Sequence, residues 1–182
     1  MKEELRFYLD SLINGVPHYM YERLLYFFCI GAVLIIAWKR RRAWKGISWL
    51  LLAEYIFLIY CSTVIFRVVK GVREYDYTPF WSYHRPELLV ENIMNVVVFV
   101  PVGLLLGCAS RGMRWWMALL IGMGVSVSIE ALQLVFKRGF SEFDDVFHNT
   151  LGCMIGYGVA WTIYWQLRRE SAVAPLARAR VS

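Results

Sequence analysis

Five apolar runs, each close to the length of a bilayer-spanning helix, constrain this chain more than any other feature. They are Tyr21–Trp38, Ile47–Phe66, Leu88–Ala109, Trp115–Phe136 and Val146–Leu167. A helix needs about 20 mostly apolar residues to cross the hydrocarbon core of a membrane. With 59% hydrophobic residues among 182, the chain is too apolar for an ordinary soluble domain of its length. The expected fold class is all-α, a polytopic membrane helix bundle with about five transmembrane helices. Tyr21, Trp38, Trp115, Trp116 and Trp165 fall at run ends, where interfacial aromatic side chains are favoured.

The runs divide the chain into three parts. Residues 1–20 place Leu5, Tyr8, Leu9, Leu12, Ile13 and Val16 on one helical face. That pattern predicts an amphipathic helix lying on the membrane surface, ended by Gly15 and Pro17. Residues 21–167 form the bundle. Residues 168–182 read as a basic, disordered tail. No cleavable signal is evident, since the first apolar run is followed by a basic loop. No internal repeat is visible.

The net charge of +6 would point to nucleic acid in a soluble protein. Here the basic residues crowd short connections, Lys39–Arg42 with Lys45, Arg111 with Arg114, and the tail. The other side interleaves its cations with Glu74, Asp76, Glu87, Glu142, Asp144 and Asp145. The positive-inside rule accounts for this, so no nucleic-acid partner is expected. The lipid bilayer is the partner the composition implies. The expected location is the bacterial cytoplasmic membrane, multi-pass, with the N-terminus outside and the C-terminus cytoplasmic. Four isolated cysteines in apolar runs, with no CxxC, read as packing residues.

Against this apolar background, the polar residues of Ser126–Gly156 stand out. A carboxylate in the bilayer costs roughly 2.5–3.5 kcal/mol even on the lenient insertion scale, and residues held at that cost are functional by default. Ser126, Glu130 and Gln133 share a face of the fourth run. Arg138, Arg67 and the amides of Asn92 and Asn95 are the available partners of Glu130. Asn92, Asn95, Phe99 and Gly103 share a face of the third run, where amides serve either as helix–helix glue or as ligand contacts. Pro101 predicts a kink nearby. Glu54 reads as a further buried carboxylate.

The next connection and run carry Arg138, Asp144, Asp145, His148 and Asn149. A helix starting near Phe143 would hold both aspartates in its first turn, where the dipole favours negative charge. The bland reading is helix capping. The sharper one makes Glu130 with Asp144 or Asp145 a catalytic acid–base pair. His148 has no pattern of metal ligands around it, and neither a metal nor another cofactor is expected. Gly152-x-x-x-Gly156 would let another backbone approach closely. Thr78–Tyr83, with Pro79 before two aromatics, is either a lid or an interfacial anchor; anchoring is the simpler expectation.

Taken in order, these residues resemble one family. Asn95-x-x-x-Phe99-x-Pro101-x-Gly103 comes first, then Ile129-Glu130-x-x-Gln133. Arg138 and Asp144-Asp145-x-x-x-Asn149-Thr150-x-Gly152-x-x-x-Gly156 follow. The set is similar to the VanZ-like family of bacterial membrane proteins, and Thr63, Phe66, Arg67, Pro79 and Phe80 resemble its earlier motif. The resemblance covers roughly 60–158. Members with an Arg-x-Phe-Asp loop have an acid directly after the Phe; here Phe140 is followed by Ser141 and Glu142.

The family's namesake is associated with low-level resistance to teicoplanin, a glycopeptide antibiotic. Teicoplanin binds the D-Ala-D-Ala end of cell-wall precursors outside the membrane. The resemblance therefore implies a cell-envelope role. On the binding reading, Arg67, Asn92, Asn95, Gln133, Arg138 and Asn149 would contact a lipid-linked cell-wall precursor or the glycopeptide at the outer face. On the enzyme reading, Glu130, Asp144 and Asp145 would act on a lipid-linked cell-wall substrate. An ion or proton path through Glu54, Glu91 and Glu130 is a third reading. No nucleophile elbow, P-loop, Rossmann fingerprint or zincin motif is present.

Overall fold

The structure, a computed structural model, describes residues 43–110 and 112–179. The expected amphipathic segment 1–20 and the run Tyr21–Trp38 lie outside the described residues. Within them the chain is mainly helical. Helix α1 spans Ala43–Tyr60 and widens into a π turn over Cys61–Ile65. Helix α2 is Leu89–Ala109, α3 is Trp115–Phe136 and α4 is Phe143–Ala179. Among the described residues, three stretches are long and apolar enough to cross a membrane: Lys45–Ile65, Pro86–Ala109 and Trp115–Phe136. These match the second, third and fourth apolar runs to within two residues. The fifth run lies inside α4, whose backbone stays helical into the stretch read as a disordered tail.

Two strands of three residues add to the all-α expectation. Strand β1 (Glu74–Asp76) pairs in parallel with β2 (Phe140–Glu142), with Tyr75 opposite Ser141 and Asp76 opposite Glu142. Periodicity could not reveal them, because three residues are too few to alternate. So short a pair has no independent stability; it stitches the connection after α1 to the connection after α3. The Lys70 amide adds a further stitch to the Lys137 carbonyl, at 2.8 Å.

The ends of the elements follow local chemistry. Pro86 opens a 3-10 turn, Pro86–Leu88, that leads into α2, where a missing amide hydrogen costs nothing. Helix α3 ends with Lys137 in the left-handed conformation, φ 56°, and the Arg138 amide turned back to the Gln133 carbonyl at 2.8 Å. That is the arrangement by which a left-handed residue satisfies the last carbonyls of a helix.

The core is a close pairing of α2 with α4. A Cβ at Gly152 would stand 2.1 Å from the Val96 carbonyl oxygen, and one at Gly156 would stand 1.9 Å from that of Val100. Gly103 answers from the other helix, 1.8 Å from the Cys153 carbonyl. The expected close approach at Gly152-x-x-x-Gly156 is therefore present, and Gly103 of the third run completes it. Helix α2 continues through Pro101. Val102, Leu106, Phe99 and Cys153 fill the space around the pairing, all buried. Glu54 does not join this core. It is exposed on the surface of α1, so its expected burial is not found.

Candidate functional site

The sequence-predicted polar residues gather at one end of the helices, where α1 and α3 finish and α2 and α4 begin. Two adjacent aspartates in the first turn of α4 divide the region between them. The Asp144 carboxylate is fully buried. It accepts hydrogen bonds from the Phe80 amide at 2.6 Å, the Ser82 amide at 3.0 Å and the Ser82 hydroxyl at 2.5 Å. Asn92 extends the network by donating to Ser82 Oγ at 3.0 Å. Phe80 is left-handed, φ 60°, and begins a 3-10 turn over Trp81–His84. A non-glycine residue persists there only where its surroundings over-determine it. The turn containing Pro79 is thus bolted to α4 as a cover over this end.

His148 completes the bolt. Its Nδ1 lies 2.6 Å from the Asp144 carbonyl oxygen, which can only accept, so Nδ1 carries the proton. Nε2 then accepts from the Tyr83 hydroxyl at 2.9 Å. Both ring nitrogens are committed. Among the described residues no group of three His, Cys, Asp or Glu is placed to hold a metal ion. Phe80 packs edge-to-face on Phe147 and Phe143, which closes the outer side of the turn.

Asp145 faces a different neighbourhood. Its Oδ1 accepts from Asn95 Nδ2 at 2.7 Å. Glu130, 5% exposed, accepts from the Glu142 amide at 3.0 Å. Glu142 lies close enough to Asp145 for the two charges to act on each other, and so does Glu130. Arg67 acts electrostatically on both Glu130 and Asp145. It forms no hydrogen bond or contact ion pair among the described residues. Its guanidinium rests over Gly139, where a Cβ would come within 2.7 Å of Nη1; φ there is +111°. The left-handed conformation favours glycine at 139, and the guanidinium lies directly above it.

Glu142 is the residue that sequence reasoning left out of the site. Strand β2 carries it there, one position beyond the acid that the family pattern places after Phe140. Burial, followed by the charges of Asp145, Glu91 and Asp144, pushes its carboxyl up to about 7. The Trp81 indole N–H pulls the other way, although it closes no hydrogen bond of ordinary geometry. The Gln133 side-chain oxygen is the second buried polar atom among the described residues with no partner. An unmet polar group of that kind costs about 1–3 kcal/mol.

The remaining predicted residues do mechanical work. Arg138 donates to the Val64 carbonyl at 3.1 Å and to that of Ile65, and Gln133 Nε2 donates to the Thr63 carbonyl at 3.2 Å. Together they cap the carbonyls left free where α1 ends in its π turn. Asn149 donates to Ser126 Oγ at 2.9 Å between α3 and α4. The structure therefore brings Arg67, Asn95, Glu130 and Asp145 together with Glu142. It assigns Asn92 and Asp144 to the cover, Gln133 and Arg138 to the end of α1, and Asn149 to helix pairing.

The sequence profile of the VanZ/LLP1 family matches residues 53–164, a span containing every one of these groups. Protein VanZ of Enterococcus faecium is 26% identical over 123 residues, which cover 60% of this chain and 76% of that protein. No solved structure matches the chain.

Proposed function

The chain belongs to the VanZ/LLP1 family, and on that premise we propose that it is a membrane protein of the bacterial cell envelope. In this reading it binds a lipid-linked wall precursor, or a lipopeptide-like glycopeptide such as teicoplanin, at the outer end of its helices and so contributes to glycopeptide resistance. One observation carries the proposal. Arg67, Asn95, Glu130, Glu142 and Asp145 converge under a fixed aromatic turn, and Arg67 makes no hydrogen bond or contact ion pair among the described residues. The site offers a guanidinium, carboxylates, an indole N–H and an amide oxygen beside apolar side chains. That mixture suits an amphiphile with a polar, hydrogen-bonding head and an apolar tail. Arg138 supports the site by holding the end of α1, rather than by meeting an anion itself.

The test is direct binding. Full-length protein in nanodiscs is titrated with teicoplanin and, separately, with a lipid-linked precursor. Saturable binding that Arg67→Gln weakens at least tenfold is the expected result. Absence of saturable binding to either ligand overturns the reading.

The enzyme reading has a specific observation of its own: buried Glu130 neighbours half-buried Asp145, and Glu142 lies beside them with a raised pKa. A pair with differing environments is the usual basis of general acid–base work. With Asp144 committed to the cover, Glu130 and Asp145 are the pair that could act on a lipid-linked cell-wall substrate. Glu130→Gln and Asp145→Asn variants should then express normally and lose turnover and resistance. Full resistance in both variants excludes the acid–base role.

A further inference from the structure

The connection after α1 leaves apolar side chains exposed among the described residues. Val68 is 80% exposed, Val69 54% and Val72 58%. They follow directly on the candidate span that ends at Ile65. The Lys70–Lys137 backbone bond sets them beside the end of α3, where Val135 and Phe136 are also exposed. A contiguous apolar patch at the ends of two spans marks an interaction surface.

Its charges are equally particular. Arg73 and Lys137 are exposed, and their side chains form no hydrogen bond or ion pair among the described residues. Lys70 is neutralised by Glu74 at 2.6 Å. The patch is thus apolar with two uncompensated cations, while Arg67 beside it faces Glu130 and Asp145. Apolar residues interleaved with Lys and Arg mark segments that lie in the headgroup layer and prefer anionic lipid.

We propose that residues 65–73 insert into the headgroup layer of the bilayer, and that Arg73 and Lys137 hold the phosphates of anionic phospholipids there. The turn at Pro79–Ser82 is fixed to α4, so the preceding stretch is the membrane anchor of this end. Charge complementarity and continuity with the candidate spans select the bilayer over a second copy of the chain. The anchor shares with the binding proposal only the placement of the chain in a membrane. It requires no ligand at Glu130 and Asp145, so either idea can fail alone.

The experiment uses full-length protein in nanodiscs of phosphatidylcholine with added phosphatidylglycerol. A nitroxide at Val69→Cys, with the native cysteines replaced by alanine, reports depth by its collisions with oxygen and with a water-soluble nickel chelate. Oxygen-dominated relaxation is expected; relaxation dominated by the chelate overturns insertion. A second measurement needs no label. The thermal midpoint of the wild-type chain in detergent is followed as phosphatidylglycerol, phosphatidylcholine or inorganic phosphate is added. Phosphatidylglycerol should raise it selectively. The double variant Arg73→Gln/Lys137→Gln should need about 25-fold more, at roughly fivefold per surface charge. Equal responses to the two lipids, an equal response to inorganic phosphate, or lipid-independent dimerisation through this patch would each reject the anchor.

Discussion

Asp144 and Asp145 are adjacent in the chain and turned to opposite tasks by the first turn of α4. Asp144 is buried and holds the Phe80–Ser82 turn through three hydrogen bonds. Asp145 meets Asn95 in the acidic cluster. Helical geometry alone separates neighbouring side chains by about 100°, so two identical residues need not share a role.

Asp144→Ala should destabilise the protein by about 2–4 kcal/mol, because two backbone amides and a hydroxyl lose their acceptor inside the fold. Asp144→Asn should be damaging as well, since its NH2 would face donors. Thermal unfolding in detergent measures both. A melting temperature equal to wild type would remove the bolt from the account.

Arg67 and Arg138 should respond differently. Arg138→Lys loses the fork that reaches the Val64 and Ile65 carbonyls and should cost about 1–2 kcal/mol. Arg67→Gln should change stability by less than about 1 kcal/mol, because the exposed guanidinium breaks no hydrogen bond on removal. It should nevertheless weaken ligand binding. Equal stability losses in the two variants would contradict the division of labour.

Glu142 sets a pH dependence. Its carboxyl sits at about 7 in the folded protein against 4.5 as the ordinary value. The folded state therefore binds more protons between those values, and stability must fall as pH rises through that window. The contribution is fully present below about 4.5 and lost above about 7. Glu142→Gln should flatten this part of the profile in melting curves taken from pH 4 to 8. An unchanged slope would show that Glu142 does not titrate there.

Gly156 tests the close helix pair. Gly156→Ala places a methyl group 1.9 Å from the Val100 carbonyl oxygen unless the backbones separate. Overpacking of that kind costs about 1–3 kcal/mol. Gly158, with nothing within 4 Å of its Cβ position, is the matched control: Gly158→Ala should be tolerated or slightly stabilising. Similar losses at both positions, read from thermal unfolding, would mean helix propensity dominates over packing.

Much of this molecule is written in local pattern. Apolar runs near 20 residues located α1, α2 and α3, because run length and composition are properties of a segment by itself. Helical spacing placed Asn92 with Asn95 and Glu130 with Gln133, and the small residues at 152 and 156 marked where backbones meet. What tertiary structure decided is which polar group faces which. Only the folded chain gives Asp144 to a turn 62 residues earlier and spends Arg138 on the carbonyls of α1. Only a three-residue strand pairing carries Glu142 into the cluster, and only the packed fold sets Arg67 beside Glu130 and Asp145 with no contact ion pair among the described residues. Such pairings depend on distances between segments far apart in sequence, and a carboxylate or guanidinium reads the same along the chain whether it ends as a bolt, a cap or a binding group.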